Sequence, residues 1–362
     1  MRKISYGVIG CGNVSNNYYL PYIVKNHRLV AVADLLEERA KRSRELWKAE
    51  RWYSDPNKLL KDPEVEAVVI VTSHESHAEL AVKAAEEGKH FIVQKPMALS
   101  IREAQEVVKS VEKSGVVAIA EPSDSHLSPL YRVLKELLAD VGRHCFSIWH
   151  TGHSGPTWSM DFFKEEKGGG VLYDLAVYDV SKLVTLFGEP KRVSALGSIF
   201  MKERTVIQPE SVTEAIRRDT YGGGVYYFHD IKPKVSVSAT AFDNFAGVLE
   251  YDGSLAVVLA NYVTFTSLQM PPTQIYCTEG VITVHPYEPL ITVVTTNGEV
   301  KRIGRERIGE RKPYYHASID HLAECIVKGE KPLPSVEWGY RVTKILLALN
   351  ESAKTGKTVD LS

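Results

Sequence analysis

The sequence predicts an α/β protein: a doubly wound parallel sheet at the N-terminus, then an α+β part built on a large, mostly antiparallel open sheet. Three observations predict it. Short apolar or β-branched runs alternate with helix-period segments over the first third of the chain. A glycine turn separates the first such run from the first helical pattern. From about residue 191 to 297, strand-like runs succeed one another with turn signals between them. Repeated strand–helix–strand units imply crossover connections and a parallel sheet covered on both faces, so its strands need not alternate in polarity.

Taken in order, Ile4–Ile9, Leu29–Ala33, Val68–Val71, His90–Val93 and Val116–Ala120 read as buried strands. Val14–Lys25, Leu36–Leu46, His77–Glu87 and Ile101–Ser114 read as the helices between and after them, and Gly88 and Gly115 stand where left-handed caps belong. Past residue 122, helical patterns cover Leu130–Leu138 and Gly170–Phe187. Strand patterns follow at Val193–Ile199, Val225–Phe228, Val235–Ala241, Gly247–Tyr251, Leu255–Tyr262, Gln274–Cys277, Val281–His285 and Ile291–Thr295. Tyr251-Asp252-Gly253 and Asn297-Gly298 supply turns among them. Helices return at Ser318–Val327 and Val336–Ala353, the last ending near Gly356. The expected division of the chain is residues 1–121 and 122–362. A C-terminal helix at about 336–354 is expected to be able to pack back on the first part.

Composition narrows the function. The 362 residues carry 44 Lys plus Arg against 45 Asp plus Glu, a net charge of −1. That balance lacks the cationic surplus needed to grip nucleic acid or anionic lipid. Cys11, Cys145, Cys277 and Cys325 form no C-x-x-C pair, so neither a disulfide framework nor a zinc ribbon is expected, and no metal. Arg2 and Lys3 precede an apolar run too short for a signal peptide, and no segment suits a membrane span. The expectation is a cytoplasmic protein with no nucleic-acid or membrane partner.

Gly10-Cys11-Gly12-Asn13-Val14-Ser15 follows the first strand and opens the first helix. The first glycine permits a tight turn and the second admits a pyrophosphate close to backbone. The helix N-terminus then offers unpaired N–H groups to the phosphates. Gly10, Gly12, Asn13 and Val14 are therefore candidate cofactor contacts, with Ser15 in the third glycine's place. Asp34 closes the second strand nineteen residues after Ser15, where a carboxylate accepts from the adenosine ribose and repels a 2′-phosphate. NAD is thus preferred to NADP, although Arg39, Lys41 and Arg42 offset part of that repulsion. Asp34 is also a good helix N-cap.

Thr72-Ser73-His74 and His77, after the third clear strand, and Gln94-Lys95-Pro96, after the fourth, lie at the carboxyl edge of the sheet, beside the crevice. Pro96 holds Lys95 extended and permits a cis bond. Taken alone, His77 as the start of a helix and Lys95 as a solvated loop residue are equally good readings. In the second part, Gly168-Gly169-Gly170 precedes a helix, which suggests close approach of backbone to something. Asp174 and Tyr178 follow at i, i+4, on one helix face; a tyrosine packed in the core against a local Asp fits that spacing as well. His153 and Trp158, in a loop expected to border the same cleft, are candidate substrate contacts, one for hydroxyls and one for stacking on a sugar face; a glycine-rich connection with Trp158 packed into the core fits the segment as well.

With these motifs in view, the sequence resembles the Gfo/Idh/MocA family, the relatives of glucose–fructose oxidoreductase and inositol dehydrogenase. The likeness runs nearly end to end: the glycine turn, the stretch from His77 to Pro96, the stretch from Gly168 to Asp174, and the closing stretch from Ser352 to Asp360. The resemblance implies a Rossmann domain followed by an α+β domain whose open sheet often mediates a homodimer or homotetramer. It implies an NAD(P)-dependent oxidoreductase acting on a hydroxyl or carbonyl carbon of a sugar, sugar acid or cyclitol. Lys95 matches the family's active-site lysine and Asp174 its aspartate after the triple glycine. Tyr178 stands where a catalytic His is usual, Gln94 where Glu is usual, and Ser73-His74 where Pro-Asn is common. On this reading Tyr178 exchanges a proton with substrate, Lys95 favours its phenolate, and Asp174 orients substrate hydroxyls or neutralises Lys95. The family also contains NAD-retaining glycoside hydrolases and a non-catalytic dinucleotide-binding regulator, the two alternatives.

Overall fold

Strand β1 (Ser5–Ile9) has four of its five residues buried and runs through the middle of a six-stranded sheet. The other strands are β2 (Arg28–Ala33), β3 (Arg51–Tyr53), β4 (Ala67–Ile70), β5 (His90–Val93) and β6 (Ala118–Ala120). All pairings are parallel, in the order β3-β2-β1-β4-β5-β6. The register sets Ile9 beside both Ala33 and Ile70, and Ile70 beside Val93. Gly10, Asp34, Val71 and Gln94 therefore leave the sheet side by side at one edge. The chain is described here by a computed structural model over residues 2–207, 234–264, 271–285, 288–310 and 312–361; the predicted strand Val225–Phe228 lies outside them.

β3 and the short helix Pro56–Leu60 were not expected, because a three-residue, half-buried strand carries too little pattern to register. The first predicted helix is two pieces: a wide turn over Ser15–Tyr19, then a helix over Leu20–Asn26. The Asn16 side-chain amide, bonded to the carbonyls of Cys11 and Gly12 at 3.0 and 2.8 Å, ties the wide turn to the glycine turn.

The second sheet has nine strands among the described residues. They are β7 (His144–Gly152), β8 (Arg192–Ser198), β11 (Asn244–Glu250), β12 (Leu255–Asn261), β13 (Thr273–Cys277), β14 (Gly280–Val284), β15 (Ile291–Thr295), β16 (Val300–Ile303) and β17 (Val359–Asp360). Their order is β16-β15-β14-β13-β7-β12-β11-β8-β17, antiparallel except where β7 meets β12. β9 (Glu203–Ile207) and β10 (Lys234–Ser238) form a separate ribbon, which corrects the expectation that Val235–Ala241 belongs to the large sheet. Alternation decides the faces. Phe245, Leu249, Ala256, Val258 and Ala260 turn inward and join a core with residues of the helices Pro129–Asp140, Val177–Phe187 and Val336–Thr355. Leu196, Val248, Leu255, Val294 and Val300 remain exposed on the other side.

The chain's last third closes both cores. Helix Tyr314–Lys328 packs on the first sheet: Ile319, Leu322 and Ala323 share a core with Ile4, Tyr6 and Val8, and the Tyr6 hydroxyl donates to the Ile319 carbonyl at 3.1 Å. Helix Val336–Thr355 packs on Ile101–Ser114 and β6 as well as on β8. A cleft lined by residues of both halves opens between the two sheets thus joined.

Candidate active site

The cleft measures 1760 Å³, and every residue singled out from the sequence as a site residue borders it. Its nucleotide end is made by backbone. Gly10 has φ +98°, and a Cβ there would lie 2.5 Å from the Val71 carbonyl oxygen, so the fold itself demands glycine. Gly12 differs: a Cβ there would meet nothing within 4 Å, so its missing side chain serves the open space of the cleft. Asp34 is fixed by two backbone donors, Cys11 N–H on Oδ2 and Leu36 N–H on Oδ1, both at 2.8 Å. It does not cap the next helix, whose N-cap residue is Leu36 without a side-chain bond. Empty space over Gly12, a glycine turn leading into a helical turn, and a fixed carboxylate at the next strand end together fit a dinucleotide.

Around this end, Asn13 accepts from the Asn17 amide at 3.0 Å on its carbonyl, and Val14 leads into the turn Ser15–Tyr19. The Ser76 hydroxyl oxygen lies 2.7 Å from Thr72 Oγ1 and 2.9 Å from the Ser73 carbonyl, within hydrogen-bond distance of both. His77 is buried, with its ring nitrogens 2.8 Å from the Pro96 carbonyl and 3.1 Å from that of Thr72, so it braces one strand-end loop against the next. His74 reaches the second half of the chain: its Nδ1 lies 2.8 Å from the Gly168 carbonyl. A carbonyl only accepts, so Nδ1 carries the proton. Burial first, and the nearby Lys95 charge second, push this histidine down to about 3, and it stays neutral.

The other end of the cleft is made by side chains from both halves. Lys95, at the end of β5 and followed by a cis bond to Pro96, is buried. Its Nζ donates to Asp174 Oδ1 at 2.6 Å and to the Asp174 carbonyl at 2.8 Å, and lies 5.1 Å from the centre of the Tyr178 ring. The Tyr262 hydroxyl donates to the other carboxylate oxygen at 2.8 Å, and His153 Nε2 lies 3.6 Å from it. Gly155 N–H donates to His153 Nδ1 at 2.9 Å, which leaves the proton of a neutral His153 ring on Nε2, facing Asp174. Burial alone raises the Asp174 carboxyl, but Lys95 and His153 outweigh it and hold the group well below the usual carboxylate range. Burial lowers Lys95, while Asp174 and Tyr178 more than compensate and raise it. The pair is therefore ionised in both members, an ammonium and a carboxylate locked together across the two sheets.

Tyr178 shares that helix face with Asp174, and its hydroxyl lies 3.2 Å from the Tyr314 hydroxyl. Behind Lys95, the Gln94 amide donates to the Tyr19 hydroxyl at 2.6 Å, and that hydroxyl donates to Glu121 Oε1 at 3.3 Å. Burial pushes Glu121 up to about 7, against bonds from Ser318, Ser123 and Tyr19 that favour its charged form. Trp158 lies edge-to-face on Phe162, 5.7 Å between ring centres, at the cleft wall. The triple glycine answers to protein packing: a Cβ on Gly169 would lie 2.4 Å from the Asp161 carbonyl oxygen. Tyr262 and Tyr314 were not found from the sequence. Tyr262 reads there only as the last residue of a strand, and Tyr314 as a residue before a helix.

A parallel sheet with a glycine turn, facing a second sheet whose helix lends an Asp and a Tyr to a lysine from the first, defines a dinucleotide-dependent oxidoreductase of two parts. Residues 4–121 match the oxidoreductase family with an NAD-binding Rossmann fold, and residues 131–283 match the GFO/IDH/MocA C-terminal domain. The chain belongs to this GFO/IDH/MocA oxidoreductase family. It is 31% identical to the scyllo-inositol 2-dehydrogenase (NAD(+)) of Bacillus subtilis over 257 residues, 65% of this chain and 71% of that one. The trans-1,2-dihydrobenzene-1,2-diol dehydrogenase of Xenopus laevis is 22% identical over 340 residues, 91% of each chain. Levoglucosan dehydrogenase in complex with NADH shares the fold at a TM-score of 0.81, with 20% identity and coverage of 100% of both chains.

Proposed function

We propose that this protein is a dehydrogenase that moves a hydride between NAD and a CH–OH carbon of a sugar, sugar acid or cyclitol. One observation carries the reading: Lys95 from the nucleotide half lies 2.6 Å from Asp174 and 5.1 Å from the Tyr178 ring centre, in the same cleft as the glycine turn. The named activities of the relatives, inositol, dihydrodiol and levoglucosan dehydrogenases, support it. The backbone at Gly10, Gly12, Asn13 and Val14 would hold the pyrophosphate and Asp34 the ribose diol. Thr72, Ser73, His74, His77 and Gln94 would line the nicotinamide side. A bound nicotinamide supplies the hydride acceptor or donor. Asp34 favours NAD over NADP, since a 2′-phosphate meets a like charge there.

Tyr178 then takes or gives the hydroxyl proton. An ordinary phenol, with pKa near 10, is a weak base at neutral pH, and an ammonium beside it favours phenolate. Asp174 neutralises Lys95 and fixes where the ammonium points, so its first task is to orient the lysine. His153 and Trp158 line the substrate side. The reading includes a cytoplasmic location and a homodimer or homotetramer formed through the open sheet face, where Leu196, Val248, Leu255, Val294 and Val300 are exposed.

The test is a panel of cyclitols, aldoses and sugar acids incubated with NAD+ or NADP+, followed by absorbance of the reduced cofactor and product analysis. Accumulating NADH with a ketone or lactone product supports the reading. Release of an aglycone from a glycoside without net NADH overturns it in favour of a hydrolase. Tight NADH binding with no turnover across the panel overturns it in favour of a regulator.

A further inference from the structure

Helix Tyr314–Lys328 belongs by packing to the nucleotide half, yet its first residue reaches the catalytic tyrosine of the other half. The Tyr314 hydroxyl lies 3.2 Å from that of Tyr178, with the rings edge-to-face at 6.2 Å. Tyr314 is held in place: its ring lies 3.9 Å from that of Tyr315, and Tyr315 stacks on Tyr18 at 4.5 Å. Tyr18 lies in the wide turn that follows the glycine turn. The ring is thus clamped from the cofactor side while its hydroxyl meets Tyr178.

Two phenols at this distance share one hydrogen, and the direction of the bond matters. If Tyr178 were the donor, its proton would be tied to Tyr314 and withheld from substrate. If Tyr314 donates, the Tyr178 O–H turns away into the cleft, and the bond strengthens whenever Tyr178 carries negative charge. Burial, with the further influence of Tyr178, Tyr315, Glu121 and Tyr19, raises Tyr314 well above an ordinary phenol, so it keeps its proton. Lys95 also lies over the Tyr178 ring, and the buried phenols of Tyr19 and Tyr262 interact with Tyr178 electrostatically.

We propose that Tyr314 is a positioning residue that donates its hydroxyl hydrogen to the Tyr178 oxygen, aiming the Tyr178 proton at substrate and stabilising the Tyr178 phenolate. This rests on the role given to Tyr178 above. In oxidation, the substrate O–H bond breaks and its proton goes to Tyr178, while the hydride leaves the same carbon for NAD+. Tyr314 keeps its own proton throughout.

The experiment compares wild type with Tyr314→Phe, which keeps the ring stack and removes only the donor. Because a hydrogen bond to a charged oxygen is lost, the acidic limb of the kcat/KM pH profile for oxidation should move up by about one to two pH units. At neutral pH kcat should fall by about tenfold with KM little changed. NMR of the cofactor-free protein carrying ζ-carbon-labelled tyrosine gives a second readout. The resonance absent in Tyr178→Phe should titrate at higher pH in Tyr314→Phe. Tyr314→His, which keeps a ring and an N–H donor, should recover most of the turnover, and it replaces the first variant if that one fails to fold. An unmoved limb and an unmoved resonance would overturn the proposal, even if kcat falls. Full turnover in Tyr178→Phe would sink the underlying reading instead, whereas an inactive Tyr178→Phe beside an unshifted Tyr314→Phe sinks this inference alone.

Discussion

The two ends of the cleft are built on opposite physical plans. At the nucleotide end, Gly10 and Gly12 contribute backbone and empty space, and the fixed carboxylate of Asp34 is held by main-chain N–H groups. At the other end, almost nothing is backbone: Lys95, Asp174, Tyr262, His153, Tyr178 and Tyr314 come from several elements of both halves and meet through side chains. The first plan is local, and a short stretch of chain is enough to make it. The second exists only when both sheets are in place, and it stores charge where water is scarce.

Lys95→Met breaks the second plan most severely. It leaves the Asp174 carboxylate buried without its cation, and loss of one member of such a pair costs about 3–5 kcal/mol. Denaturant unfolding should show that loss, and turnover should vanish with it. A variant as stable as wild type would mean that the pair is not what locks the halves together.

The glycines separate fold from ligand. Gly10→Ala forces a side chain into a positive-φ position and against a carbonyl 2.5 Å away, so it should cost about 2–4 kcal/mol of stability. Gly12→Ala meets no protein atom within 4 Å and should leave the melting temperature unchanged. Its NADH dissociation constant should rise by about tenfold, or ~1.4 kcal/mol. Equal melting temperatures for the two variants would erase the distinction drawn between them.

The smallest effect concerns Glu121, whose carboxyl is raised in the fold from 4.5 to about 7. Between those values the folded chain binds more protons than the unfolded one, so this group's contribution is full below about pH 4.5 and is lost as pH rises through 7. Glu121→Gln removes that dependence. Relative to wild type, the variant should gain stability from pH 5 to pH 8, measured by thermal melts at both. A constant difference would place the Glu121 proton elsewhere.

Legibility in the sequence follows the same contrast. The strand ends carrying Gly10, Asp34, Thr72 and Gln94 were readable because parallel strands in a doubly wound sheet deliver their carboxyl ends to one edge. Lys95, Asp174 and Tyr178 were readable as candidates from motif position and i, i+4 spacing. Their meeting was not, since it depends on the turn Leu172–Ala176, which leads into helix Val177–Phe187, meeting the loop after β5. Tyr262 and Tyr314 left no local trace: one follows directly on the alternating strand β12 and the other begins a helix after Pro313. The half-buried β3 was missed because three residues carry too little periodicity. The packing of helix Tyr314–Lys328 on the first sheet was missed because its apolar face would suit either core.

The central claim is that the Tyr178 phenol carries the proton while Lys95 steadies it. The most direct measurement is Tyr178→Phe, with single-turnover reduction of NAD+ followed beside NADH binding by fluorescence. The account predicts a hydride-transfer rate lower by ~10²–10⁴ with the NADH dissociation constant nearly unchanged. A rate within about twofold of wild type, at unchanged cofactor affinity, would contradict it.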